Sequence, residues 1–466
     1  MSPLNRTVRN RALHLILPAL VLLGGLLAAP LPTAAQESTD SLRAELARLA
    51  AVVDSLRAEV TRLREAGREE EAVDALAQLR AAAEAAAAAG GPPPSEEPVE
   101  QEFQGRQRSL QALNPEISLN ADIFAQAIKG DLGAENFFTR EFEISIISNL
   151  DPFSRAKVFI SRHFSGAELS PFETGDDAHA HEEGGGFAIE EGYVEWVGLP
   201  GGVRVKLGRF FQRIGQLNRW HRHSLPFQTQ SLPHLAFLGE ESLAQTGLSA
   251  QWLIPVGGGT GTYEAALEVT TSEHEGLFGE SGRPSVLAHV NGFWQLSAAT
   301  DLDLGVGWIT GRHESDAGLV DRNLYNADLS FTWRPPARAR YRGVQIRAGA
   351  MLLDGLVQHA HEDEGPEVEL DDDEEGDDQA MGVWSMAELR LSPSWLVGAR
   401  LDWTENPEDT EETAWLFSPT LTWWQSEYVR VRAEYDLLGR SFESAREGRF
   451  LVQVTFAVGP HKHETY

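Results

Sequence analysis

The sequence predicts an all-β transmembrane barrel of about sixteen antiparallel strands, preceded by an α-helical coiled coil. Three observations carry this. An export-type leader is followed by no other segment able to cross a membrane as a helix; from Asn114 onward, runs of about ten residues alternate apolar and polar side chains; and the connections between those runs are short and long by turns.

The leader opens with Arg6, Arg9 and Arg11 and continues into an apolar run, Leu13 to Leu31, interrupted by Pro18 and Gly24-Gly25. Thr33-Ala34-Ala35 then supplies the small residues of a cleavage site, which makes 1–35 a signal peptide. The alternative is a retained anchor, against which the short uninterrupted apolar stretch counts. Next, Leu42, Leu46, Leu49, Val53, Leu56, Val60 and Leu63 step alternately by four and three residues among Arg, Glu and Asp. Such a seam belongs to a coiled coil, or to a single amphipathic helix lying on a surface. An Ala-rich helix follows from Val73 to Ala89, so that 36–89 is helical, and 90–113 reads as a Gly/Pro/acidic linker. The barrel then occupies 114–466.

Within the barrel, Phe142, Ile144 and Ile146 alternate with Glu141, Glu143 and Ser145, and Val203, Val205 and Leu207 with Arg204, Lys206 and Gly208. Leu302, Leu304, Val306 and Trp308 alternate likewise with Asp301, Asp303, Gly305 and Gly307. A strand with one face toward lipid and the other toward a polar lumen requires this period of two. Strands are expected at 115–127, 139–149, 153–164, 186–198, 202–212, 243–255, 261–272, 284–296, 300–312, 322–335, 341–355, 379–392, 394–404, 412–424, 427–438 and 447–459.

Short connections such as Leu150 to Pro152, Ser297 to Ala299 and Ser392 to Pro393 then face long ones, Phe164 to Gly186, Arg213 to Ser242 and Leu356 to Asp378. Short periplasmic turns opposite long outer loops suit a barrel inserted from the periplasm. Trp252, Trp294, Trp333, Trp395 and Trp423 fall near segment ends, where an interfacial aromatic belt would sit.

The formal charge of −31 excludes nucleic acid as a partner, because phosphate binding concentrates Lys and Arg. Much of that charge is local: His361 to Asp378 holds twelve acids and Ser165 to Gly185 six, with no Lys or Arg in either. Cysteine is absent, so neither disulfides nor thiolate chemistry is available.

Asn114-Pro115-Glu116-Ile117-Ser118 and Val205-Lys206-Leu207-Gly208-Arg209-Phe210 resemble the phosphate-selective porin O/P family, over roughly 115–466. The resemblance implies a sixteen-stranded homotrimeric barrel in outer-membrane lipid, a third outer loop folded into the lumen, and a coiled coil ahead of the barrel. A dense lysine ladder is missing here, so the family's phosphate specificity is not carried over.

The third long loop, Arg213 to Ser242, joins Arg213, Arg219, His221, Arg222 and His223 to a set of Leu, Trp and Phe too apolar for open water. Packed inside the barrel, it would narrow the aqueous path, with Arg204, Lys206, Arg430 and Arg432 on the wall continuing a positive track. The other arrangement pairs these bases with lumen acids such as Glu195, Asp402 and Glu434, which leaves a transverse field of little preference. The expected function is passive diffusion of small hydrophilic solutes or ions, with no cofactor required.

Two outer loops repeat a His-Ala-His-acid pattern, at His179 and His181 and at His359 and His361. Imidazoles two apart beside carboxylates suit weak binding of zinc or a related divalent ion, whereas a solvated acidic loop would carry the same composition. Surface metal capture and tethering of the envelope through a periplasmic or cell-wall partner of the coiled coil therefore stand beside the channel as alternatives. Gly-x-Ser-x-Gly, a Gly-rich phosphate loop and His-Glu-x-x-His are all missing from the sequence, which weighs against an enzyme.

Overall fold

The computed structural model describes residues 115–129, 137–164, 169–172, 186–240, 242–255, 261–279, 281–315, 318–356 and 379–459. The leader, the heptad segment, the linker and the four outer-loop histidines His179, His181, His359 and His361 lie outside these residues.

Sixteen strands form one closed antiparallel barrel in which each strand pairs with its neighbours in sequence and the first pairs with the last. They are β1 Glu116–Ile128, β2 Phe137–Asn149, β3 Ser154–His163, β4 Ala188–Leu199, β5 Val203–Phe211, β6 Ala244–Ile254, β7 Gly261–Thr271 and β8 Pro284–Ser297. The second half is β9 Thr300–Ser315, β10 Gly318–Trp333, β11 Gly343–Asp354, β12 Gln379–Arg390, β13 Trp395–Glu405, β14 Thr413–Trp424, β15 Val429–Arg440 and β16 Glu447–Val458. The seam closes with Leu119 opposite Val458 and Ala127 opposite Phe450, so every strand has a partner on both sides. Closure matters in hydrocarbon, where an unpaired backbone amide or carbonyl costs several kcal/mol on the order of a lost hydrogen bond.

The period-two pattern sorts side chains as expected. Leu304, Val306 and Trp308 of β9 are exposed outward while Gly305, Gly307 and Ile309 face the lumen. Glu141, Glu143 and Ser145 of β2 are buried inside. Trp252, Trp294, Trp333, Trp395 and Trp423 all come to the rim that carries the short turns, where Trp395 and Trp423 stack with ring centroids 6.1 Å apart.

Two departures from simple alternation shape the interior. Between β9 and β10 the expected loop is instead a continuation of the ladder to Ser315 opposite Gly318, tied across the strands by Arg312 and Asp321 at 2.8 Å. Secondly, β2 and β4 each carry a bulge. Asp122 faces Glu141 while Ile123 faces Thr139, which leaves Arg140 as the extra residue; Phe159 faces Glu191 while Ile160 faces Ile189, which leaves Glu190. A bulge re-aims the side chains around it. Here it buries Arg140 with Glu141 and turns Glu190, half-buried, inward beside the buried Glu191, where strict alternation would have turned only one of each pair inward.

Candidate pore constriction

The third long loop runs from Gln212 to Leu243 inside the barrel. Asn218 ties its neck: Nδ2 donates to the carbonyls of Gln212 (2.8 Å) and Leu243 (3.0 Å), and Oδ1 accepts from the Leu243 amide (2.7 Å). Short 3-10 turns at Leu217–Arg219 and Arg222–Ser224 lead to a helix, α1, Leu232–Leu238, opened by Pro233 in its first turn and ended by Gly239 at φ 69°. Proline suits a first turn, where its missing N–H leaves nothing unpaired, and glycine suits the left-handed stop.

The apolar side chains of the loop are buried against wall residues that are themselves apolar. Ile214, Phe237 and Leu238 pack with Leu287, Ile309, Leu324, Met351 and Leu353 of β8 to β11, and with Leu277 and Phe278 of a one-turn helix, Glu275–Phe278. Leu232 and Leu235 meet Leu416 and Leu438, together with Leu169 from the preceding outer loop. Leu217, Trp220, Leu225 and Phe227 meet Trp384 and Met386. Each fully buried Leu or Phe contributes about 1.5–3 kcal/mol relative to water, which is why these wall positions break the polar-lumen rule.

The loop's polar backbone is satisfied by the wall. Arg430 donates to the His223 carbonyl (2.5 Å), Arg432 to that of Leu225 (2.9 Å), and Arg400 to both the carbonyl (2.5 Å) and the hydroxyl (2.7 Å) of Thr229. Arg140 donates to the Gln228 carbonyl and forms an ion pair with Asp122 at 2.5 Å. Carboxylates take the amides: Glu434 accepts from Gln228 (2.9 Å), Asp402 from Leu232 (3.0 Å) and Glu268 from Arg213 (3.3 Å). Arg430 and Arg432, candidates for a positive track, are therefore buried behind the loop as its anchors. Arg222 belongs to the same frame, donating to the Glu240 carbonyl, and His223 is buried against Glu141 and Glu143.

The remaining candidates come together. Arg204 and Lys206 of β5 and Arg213, Arg219 and His221 of the loop line one open recess, shared with Glu191, Tyr193 and Glu195 of β4 and Gln251 of β6. Its bases are partly matched. Glu264 pairs with Arg213 and, at 3.3 Å, with Arg204; Glu195 pairs with Arg155 at 2.6 Å. Lys206 lies 4.6 Å over the Tyr193 ring. Burial, then the neighbouring Arg219 guanidinium, pushes Arg213 down to about 9, which still leaves it a cation at neutral pH.

Deeper in, His221 meets three carboxylates. Nδ1 stands 2.8 Å from Glu143 Oε2 and 2.9 Å from Glu190 Oε2, and Nε2 stands 3.2 Å from Glu191 Oε2. Burial opposes protonation of this ring, but the carboxylates outweigh it and hold His221 well above the ordinary imidazole range. His234, on α1, goes the other way: burial and then the Arg400 charge push it down to about 4.

Sequence reasoning brought the loop inside and named the three loop bases and two wall bases that meet at the recess, but missed Arg140, Arg400, Glu190 and Glu191. Adjacent charges inside a strand, Arg140-Glu141 and Glu190-Glu191, were the available signal for the bulges.

Fold and site together define a transmembrane β-barrel whose third loop is folded inward and clamped beside a charged recess. No protein-family model matches the chain. An uncharacterized protein of Aquifex aeolicus is 37% identical over 99 residues, which is 21% of this chain; the chain spans only 20% of that relative's length. Among solved structures, OprB of Pseudomonas putida is similar with a TM-score of 0.49 at 11% identity, covering 76% of this chain and 97% of that one. An anion-selective porin from Comamonas acidovorans has a TM-score of 0.47 at 10% identity, covering 74% and 99%. The outer membrane channel DcaP of Acinetobacter baumannii has a TM-score of 0.45 at 8% identity, covering 74% and 97%.

Proposed function

We propose that the protein is an outer-membrane diffusion channel for small hydrophilic solutes and ions, with an anion preference set at the basic recess. The observation that carries this is the third loop, held inside the barrel by wall arginines and carboxylates so that it narrows the lumen without hanging free. Arg204, Lys206, Arg213 and Arg219 around the recess oppose Glu191 and Glu195 there, and a ring of fixed positive charge in a narrow path favours anions. The large negative charge of the chain does not decide the filter, because much of it belongs to two outer segments.

In this reading the leader is removed on export, and the heptad segment stands on the periplasmic side. Both barrel ends, Glu116 and Val458, support that placement, since they open on the rim of short turns. Three copies form the assembly, as the family resemblance implies; chemical cross-linking in native membranes tests that number. Swelling of liposomes that contain the purified protein tests the channel itself. Swelling in small sugars and amino acids, falling off with solute size, is the expected result; liposomes that stay inert to every solute would remove the reading.

A further inference from the structure

We propose that a divalent cation of the zinc class binds inside the barrel between His221 Nδ1, Glu143 Oε2 and Glu190 Oε2, and staples the third loop to β2 and β4. This does not rest on the channel reading, because binding is measured without any current. It also uses none of the four histidines of the His-Ala-His segments.

The donors come from three elements. Glu143 shares the inward face of β2 with Glu141, two residues before it. Glu190 is the bulged residue of β4, turned inward beside Glu191. His221 sits at the start of the 3-10 turn Arg222–Ser224. The three donor atoms lie within 4.8 Å of one another, and both carboxylate oxygens approach the same ring nitrogen, at 2.8 and 2.9 Å. A single N–H serves one acceptor well. Here the hydrogen bond runs to Glu190, while Glu143 Oε2 is buried with no hydrogen-bond partner. A zinc ion that displaces the Nδ1 proton to solvent, leaving His221 neutral with its Nε2–H toward Glu191, serves both carboxylates and the nitrogen at once. Bonds of about 2.0–2.1 Å in tetrahedral geometry need donors roughly 3.3 Å apart, so the two nitrogen–oxygen pairs, at 2.8 and 2.9 Å, need only about half an ångström of outward movement.

The surroundings fit a metal in two further ways. Glu191 stands on Nε2, the opposite side of the His221 ring, and His163 holds the other Glu190 oxygen at 2.6 Å. A carboxylate on the far nitrogen of a ligating histidine fixes the ring and directs its lone pair at the metal. Independently, Glu141 is only 1% exposed, yet neither of its oxygens has a hydrogen bond. It points into the same cluster, with His223 Nδ1 at 3.7 Å, and Glu141, Glu143 and His223 form a second close set of donors. Imidazole mixed with carboxylate favours zinc and its neighbours over magnesium or calcium, which prefer all-oxygen shells.

The test is calorimetric titration of zinc chloride into the full-length protein, folded in detergent at neutral pH and stripped with chelator. His179, His181, His359, His361, His461 and His463 are first replaced by Ala so that only the interior site reports. The expected result is one zinc per chain, weakened at least about tenfold by Glu191→Gln and more by Glu143→Gln or Glu190→Gln. Absence of binding by the parent, or equal affinity in the three isosteric variants, would overturn the proposal. Should those variants fail to fold, X-ray absorption at the zinc edge of the loaded parent decides: a shell of mixed imidazole and carboxylate supports the site, and an all-oxygen shell overturns it.

Discussion

Replacing Arg400 by methionine isolates the wall's grip on the third loop. Its guanidinium donates to the carbonyl and hydroxyl of Thr229 and lies 4.1 Å over the Phe227 ring. Methionine keeps most of the aliphatic volume, so the barrel wall itself should close normally. A hydrogen bond from a charged donor is worth about 1.5–3 kcal/mol net, and the ring contact about 1 kcal/mol or more when desolvated. Taking about 4 kcal/mol for the site, and a tenfold change for every 1.4 kcal/mol, the docked-to-undocked ratio of the loop falls roughly a thousandfold. Trypsin reads this directly, because Arg219 and Arg222 become cleavable only when the loop leaves the wall; single-channel recording reads it as larger, noisier current. Equal cleavage rates and equal current noise in the parent and in Arg400→Met would refute the idea that wall arginines hold the loop.

Acid should loosen the same loop through His234. Its protonation is disfavoured in the docked state by burial and by Arg400, so stability is full above pH 6.5 and is lost progressively as pH falls toward about 4, by about 3 kcal/mol at most; single-channel current noise should rise over that window, and His234→Gln should flatten the dependence. Reversing the recess charge with Arg204→Glu and Lys206→Glu should move the reversal potential in a salt gradient toward cations, and an unchanged potential would remove these residues from the path. Gly208→Ala should abolish folding of the barrel, assayed by heat-modifiable migration in gels, because a Cβ there meets the Gly192 carbonyl oxygen and the Tyr193 backbone, at a φ of 137° that side chains rarely adopt.

How much of this was legible beforehand follows from the range of the interactions. Strand positions were readable because lipid on one face imposes the alternation locally, as Leu304, Val306 and Trp308 show, and the observed boundaries fall within a few residues of those expected. The sixteen strands and the inward loop follow from such local patterns. The inward apolar patch was not legible: Leu287, Ile309, Leu324 and Met351 violate a polar lumen, and only the docking of Ile214, Phe237 and Leu238 explains them. Nor could the sequence separate Arg430 and Arg432 from Arg204 and Lys206. All four face inward, but the first two bind loop carbonyls 207 residues away in the chain, and that pairing exists only once the barrel has closed. The bulges at Arg140 and Glu190 shift register through cross-strand pairing, which period-two reading does not register.

Planar-bilayer recording of the purified protein under a potassium chloride gradient tests the central claim most directly. Stepwise insertion currents whose reversal potential lies on the chloride side of zero are predicted, since the recess beside the third loop carries more positive than negative groups. A folded protein that inserts without any stepwise current would contradict the account.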